Sequence, residues 1–317
     1  MKSIFVRQLQ ADTDLFDQPF LLAEVIQRET KDGRSFLLFT LADATGQVSG
    51  VFWSVPAHVV ESCLPGRVVL VTGKVRLYNG RLQVAAVDLQ PYQPDSMADY
   101  TTCSQRDRDE MADELRSVVA NLREPLDRLV SAVLLEPTFL RRFVDAPAAT
   151  TMHHAYVGGL LQHVLSMVSI GRLVAGHYPL VDQDLLYAGI LLHDVGKVFA
   201  YQPSPSFPIT DTERLIGHVA RGAIVVQNAA AAIDGFPDEL LQQLLHLVVS
   251  HQGTLEWGSP VLPRTLEAVI LHQLDLLDSR VQGFLDHVLA EPGESSWSSR
   301  SPMFGIELMR KPSPSNG

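Results

Sequence analysis

The chain has 317 residues, 46% of them hydrophobic and 19% charged, which excludes a disordered chain and is long enough for two cores. Its net charge of −11 excludes a protein that coats duplex nucleic acid by bulk attraction, though not one with a local basic groove. No run of eighteen apolar residues occurs, and Met1–Gln8 lacks the apolar core of a signal peptide. These features predict a cytoplasmic protein with no membrane partner.

The first ninety-five residues carry nine Lys/Arg and ten Asp/Glu, so nearly all of the negative charge belongs to the remainder. Strand-like runs are predicted over Phe20–Arg28, Ser35–Leu41, Gln47–Trp53, Arg67–Tyr78 and Arg81–Leu89, with a short helix in Pro56–Cys63. Asn79-Gly80 is the dipeptide expected of a two-residue hairpin turn. Five strands with a helix between the third and fourth resemble the OB-fold, and the run from Asp32 to Trp53 is similar to its tRNA-anticodon-type group. Such barrels hold single-stranded RNA or DNA by stacking bases on aromatic rings beside a positive track. The aromatic side chains available are Phe36, Phe39, Phe52, Trp53 and Tyr78, of which Phe36 and Trp53 are expected at the surface; Arg34, Lys74 and Arg76 are the expected cations. Alternating aromatics in a barrel are as readily core residues. Cys63 and Cys103 lack metal-type spacing and are expected as free thiols.

Residues 96–110, rich in Ser, Thr, Asp and Gln, are expected as a linker, followed by an all-α domain over 111–291 and a loosely ordered, Ser/Pro-rich tail over 292–317. Trp297, Phe304 and Ile306 are the residues that would dock that tail. Helices are predicted from Arg108 onward. A long one opens at about Pro147 and runs to Tyr178; others cover Asp184–His193, Gly217–Ala232, Asp238–Ser250 and Leu266–Leu289. The long apolar helices also leave room for a homo-oligomer.

One stretch in this half cannot be ordinary core. The apolar run Leu185–Leu192 ends in His193-Asp194-Val195-Gly196-Lys197, and burying a carboxylate is expensive unless a cation meets it. Imidazole suits Mn, Fe, Co and Zn, and carboxylate adds a harder oxygen donor. Gly196 is expected to permit a tight turn, and Lys197 to offer a point charge to phosphate. A helix end with a capping His and a solvated Asp is the plainer account of the pair alone. His163, the His193-Asp194 pair, His218, His251 and Asp275 follow in order, each on its own helical segment, as ligands converging from facing helices do.

That order resembles the HD superfamily of metal-dependent phosphohydrolases. With the barrel in front of it, and with the segments His153–His163, Leu215–His218 and Ser250–Pro260, the chain resembles the YhaM-type 3′-5′ exoribonucleases over roughly residues 1–290. The resemblance implies an OB-fold barrel followed by an HD helical bundle, and hydrolysis of single-stranded RNA, or single-stranded DNA, from the 3′ end. It also implies one or two divalent ions, Mn2+ first, with Co2+, Fe2+ or Mg2+ as alternatives. His163, His193, Asp194 and Asp275 would form the primary metal shell, Asp194 would bridge, and His218 and His251 would complete a second site. Asp194 and Lys197 would be catalytic; His153, His154 and His272 would seat substrate or stand behind the ligands. Gln252 departs from the pattern, because an amide is a poor transition-metal ligand where many relatives carry a second His.

Two other classes use parts of the same evidence. A phosphohydrolase of nucleotides or cyclic dinucleotides would need the metal residues but not the barrel, and the Gly-Tyr-Pro motif of the cyclic-dinucleotide enzymes is missing. A non-catalytic single-strand-binding protein would need the barrel but not Lys197 beside an intact ligand set.

Overall fold

The computed structural model describes residues 2–30, 35–53, 55–56, 59–60, 63–94, 99–100, 104, 106–149, 154–202, 207–290 and 295–310. The chain divides into two compact units: Met1–Cys103 with Pro203–Pro208, and Ser104–Gln202 with Ile209–Gly317.

The first unit is built on β1 (Asp14–Glu29), β2 (Ser35–Asp43), β3 (Gly46–Trp53), β4 (Val68–Tyr78) and β5 (Arg81–Tyr92). They close into a barrel in the order β1-β2-β3-β5-β4, antiparallel throughout except for the parallel β3–β5 pair that seals it. Period-two alternation sends Leu37, Phe39 and Leu41 of β2 into the core with Phe20, Leu22, Phe52, Val71, Val75 and Val84. Phe39 and Phe52 therefore fill the barrel rather than offering stacking surfaces, and Gly50 is required where a Cβ would lie 2.0 Å from the Phe39 ring. Asn79 and Gly80 both adopt positive φ, 50° and 76°, joining β4 to β5 as the dipeptide predicts. β1 starts six residues before the predicted strand. A bulge between Leu15 and Gln18, with Asp17 at φ 47°, carries Asp and Pro through a strand whose sequence does not alternate.

The second unit is helical: α1 (Arg108–Ala120), α2 (Leu126–Leu134), α3 (Pro137–Asp145), α4 (Gly159–His177), α5 (Gln183–Leu192), α6 (Asp211–Leu215), α7 (His218–Ala231), α8 (Asp238–Ser250) and α9 (Leu266–Ala290). α1 begins inside the expected linker because Asp107 caps it, accepting from the amides of Asp109 and Glu110. α4 and α5 pack against each other, and α9 lies across both; α8 packs on α5 and α7 on α8. By length and composition α4 passes as a membrane span, but Leu160, Leu161, Val164, Leu165, Met167 and Val168 are buried in the bundle core. The tail contains a hairpin of β6 (Trp297–Arg300) and β7 (Glu307–Met309) where a loosely ordered segment was expected. Phe304 docks it edge-on against Phe284 of α9 at 6.2 Å, and His287 contacts the Ser299 carbonyl oxygen at 3.0 Å. Trp297 and Ile306 remain more than half exposed.

Candidate metal centre

α5 is capped at its start by Asp182, which accepts from the Leu185 amide, and is almost wholly apolar from Leu185 to its end. It therefore runs through the core and delivers His193 and Asp194 to the centre of the bundle, 0% and 1% exposed. The chain then tightens into a 3-10 turn, Val195–Phe199, which brings Lys197 Nζ back to within 2.6 Å of Asp194 Oδ2. Gly196 lies inside this tight turn, as expected, but what requires glycine there is a close approach and not the turn. A Cβ there would lie 1.9 Å from the His218 carbonyl oxygen, so glycine lets the start of α7 rest directly on this turn.

Three more imidazoles reach Asp194 or its neighbour from separate helices. His251 Nε2 and His218 Nε2 lie 3.6 Å and 3.7 Å from Asp194 Oδ1, and His193 Nε2 lies 3.3 Å from Oδ2. His163 stacks edge-on with His193 at 5.5 Å and presents Nε2 to Asp275 Oδ1 at 3.4 Å. In every case the other ring nitrogen is already engaged. Nδ1 of His193 donates to the Ile190 carbonyl (2.8 Å) and Nδ1 of His251 to the Val248 carbonyl (2.7 Å). Nδ1 of His163 meets Asp278 (2.7 Å), and Nδ1 of His218 meets Glu213 (2.8 Å). This arrangement fixes the tautomers and turns the Nε2 lone pairs inward, as metal-bound histidines require. His193 Nε2 and Asp194 Oδ1 are buried without a hydrogen-bond partner. Asp194 belongs to two groups whose ligand atoms converge within 4.8 Å, one with His163 and His193 and the other with His218 and His251.

Asp275 and Asp278, one turn apart on α9, divide the work on His163. Asp275 faces Nε2 on the inner side, where an ion would sit. Asp278 holds Nδ1 from behind and is itself met by His154 Nε2 (3.0 Å) and by the Ser166 hydroxyl. His154 completes the chain through the Tyr156 hydroxyl at 2.8 Å. The predicted long helix does not reach this region: α4 starts at Gly159, and His154 sits in the loop before it at φ 51°, 1% exposed, as a buried support rather than a helix cap. His153 lies outside the described residues. His272 donates from Nδ1 to the His251 carbonyl oxygen at 2.9 Å, which places its ring behind His251. Sequence reasoning passed over Asp278, Glu213, Ser166 and Tyr156. The spacing from Asp275 to Asp278 and from His163 to Ser166, three residues on one helix face, was the available signal for two of them.

Electrostatics separate the groups. Burial opposes a charge on His163, but hydrogen bonds to Asp275 and Asp278 outweigh it and raise the ring to about 9. Burial, reinforced by the charge on His193, pushes His251 down to about 4, so it is neutral and ready to donate a lone pair at neutral pH. Burial would also raise the Asp194 carboxyl; the charges of Lys197 and His193 overcome it and hold the group well below the usual carboxylate range. Two negative side chains and four inward-facing imidazole nitrogens, one of them protonated until an ion displaces the proton, are a donor set that fits a divalent first-row ion.

On the barrel, Phe36 of β2 and Trp53 of β3 are paired in register and stack at 4.7 Å, with Trp53 57% exposed. Arg76 is exposed on β4, opposite Gln83 of β5; Lys74, opposite Ala85, is partly answered by Asp12 at 3.4 Å and Asp14 at 3.9 Å. Arg34 lies outside the described residues.

Residues 21–92 match the family of OB-fold nucleic acid binding domains, and residues 160–280 match the HD domain family. Barrel and metal centre thus define a two-domain HD hydrolase equipped to hold single-stranded nucleic acid. The chain is 32% identical to the 3′-5′ exoribonuclease YhaM of Oceanobacillus iheyensis over 285 residues, 88% of this chain and 89% of that protein. It is 32% identical to the same-named protein of Bacillus subtilis over 283 residues, again 88% and 89%, and to that of Listeria welshimeri over 293 residues, 90% and 91%. The chain belongs to the YhaM 3′-5′ exoribonuclease family.

The raised His163 has a measurable consequence. Below about 9 the metal-free His163 ring carries a second proton that an incoming ion must displace, whereas His251 has no second proton to lose above about 4. Titration calorimetry with Mn2+ in two buffers of different protonation enthalpy should show release of about one proton at pH 7, and affinity rising roughly tenfold per pH unit between about pH 6.5 and 8. Affinity independent of pH, with no proton released, would contradict the assignment of His163 as a ligand.

Proposed function

We propose that this chain shortens single-stranded RNA from its 3′ end by hydrolysis, using His163, His193, Asp194 and Asp275 as the main metal ligands, His218 and His251 as a second set, and Mn2+ as the preferred ion. The observation that carries the reading is Asp194, a fully buried carboxylate shared by two groups of inward-facing imidazoles. A divalent ion held there supplies a water of lowered pKa as nucleophile and a Lewis acid for the phosphoryl oxygens.

The chain's own residues do the rest. Asp194 orients the ligand set and, through Oδ1, faces the region where a nucleophile must be held. Lys197 keeps Asp194 ionised and brings a positive charge next to the centre, where charge grows on the phosphate during attack. The Nδ1 contacts prevent the imidazoles from rotating away. On the barrel, the Phe36–Trp53 stack offers a ring to a base, and Arg76 and Lys74 answer the backbone, an arrangement that is indifferent to sequence.

A time course on 5′-labelled single-stranded RNA with Mn2+ tests the reading. A ladder shortening from the 3′ end is expected, abolished by EDTA, restored by excess Mn2+, and lost by a factor of at least ~1000 in Asp194→Ala. An intact oligomer, with turnover of mononucleotides or cyclic dinucleotides instead, would replace this reading. Trp53→Ala should weaken RNA binding in a filter assay by roughly 5- to 100-fold, the value of one stacked base, while hydrolysis of a small phosphodiester stays unchanged. Unaltered RNA affinity in that variant would remove the barrel face from the account.

A further inference from the structure

The two groups that share Asp194 are not equivalent, and the difference lies in Gln252. Its Nε2 is 3.1 Å from His251 Nε2 and 3.5 Å from His218 Nε2. The direction of these contacts is set by chemistry. His251 has committed its Nδ1 proton to the Val248 carbonyl, and His218 has committed its own to Glu213, so both Nε2 atoms present lone pairs. An amide oxygen facing two lone pairs would be repelled, whereas an NH2 group has a hydrogen for each. The carboxamide nitrogen therefore lies between the two imidazoles whose lone pairs a second ion would take, with Asp194 Oδ1 3.6 Å and 3.7 Å from the same two nitrogens.

We propose that Gln252 makes the second group a conditional metal site: one ion binds tightly at His163, His193, Asp194 and Asp275, and a second binds at Asp194, His218 and His251 only by displacing the Gln252 amide. This rests on the metal-centre reading above and adds an order of occupancy to it. Gln252 is a gatekeeper of stoichiometry, and activity should rise in two phases as the ion concentration increases.

Native mass spectrometry and calorimetry on the full-length protein with Mn2+ alone, and no RNA, test the proposal. The wild type should bind one ion tightly and a second at least tenfold more weakly. Gln252→Ala, which removes both N–H donors, should tighten the second step about tenfold and leave the first unchanged; Gln252→Glu, which adds a ligand oxygen, should tighten it further. Thermal melts in EDTA confirm that both variants are folded. Two ions of equal affinity in the wild type, or a second step that Gln252→Ala leaves alone or weakens, would overturn the proposal. Failure of the wild type to bind any ion would instead overturn the metal-centre reading, so the two failures are distinguishable.

Discussion

The helical domain is organised by the need to keep one buried carboxylate charged. Asp194 is 1% exposed, and taking such a group out of water costs several kcal/mol even after the protein relaxes around it. Four separate segments meet that cost: Lys197 from the following turn, His193 from the end of α5, His218 from the start of α7 and His251 from the end of α8. Each must arrive at the right depth, and the packing of α8 onto α5, and of α7 onto α8 and the turn after α5, is what allows it. Gly196 shows how tight that packing is, since any side chain there would strike the backbone of α7.

The contacts on the outer nitrogens of the four imidazoles make the centre rigid. Two imidazoles are held by carbonyls of their own helix one turn back, which ties ligand orientation to helix geometry. The other two are held by carboxylates, Asp278 and Glu213, which fix the rings, and Asp278 together with Asp275 also makes His163 more basic. The contrast explains why His163 carries a second ring proton in the metal-free protein while His251 stays neutral. Gln252 sits beside the neutral His251, where an amide hydrogen can bond an imidazole lone pair.

Much of this could be read in the chain. The five strands and the Asn79-Gly80 turn follow from alternation and turn chemistry; His163, His193, Asp194, His218, His251 and Asp275 stand out as polar residues on or at the ends of apolar helices, and the resemblance to the HD superfamily is what joins them into one set. What could not be read depends on three-dimensional approach. Gly196 looks like a turn glycine until α7 lies against it. Phe39 and Phe52 look as available for stacking as Phe36 and Trp53 until the barrel closes and decides which face is inside. Asp278 shows only its one-turn spacing from Asp275 until His154 and His163 are placed on it. β1 hid its first turn because a bulge breaks the period on which strand recognition relies, and α1 hid its start because its capping Asp107 sits in a polar stretch that reads as linker.

The central claim is that Asp194 is the shared vertex of the metal centre. Anomalous diffraction from crystals soaked in limiting Mn2+ tests it directly. The account predicts one dominant peak bonded to Asp194 together with His163, His193 and Asp275. A dominant peak away from Asp194, between His154 and Asp278 for example, would contradict it.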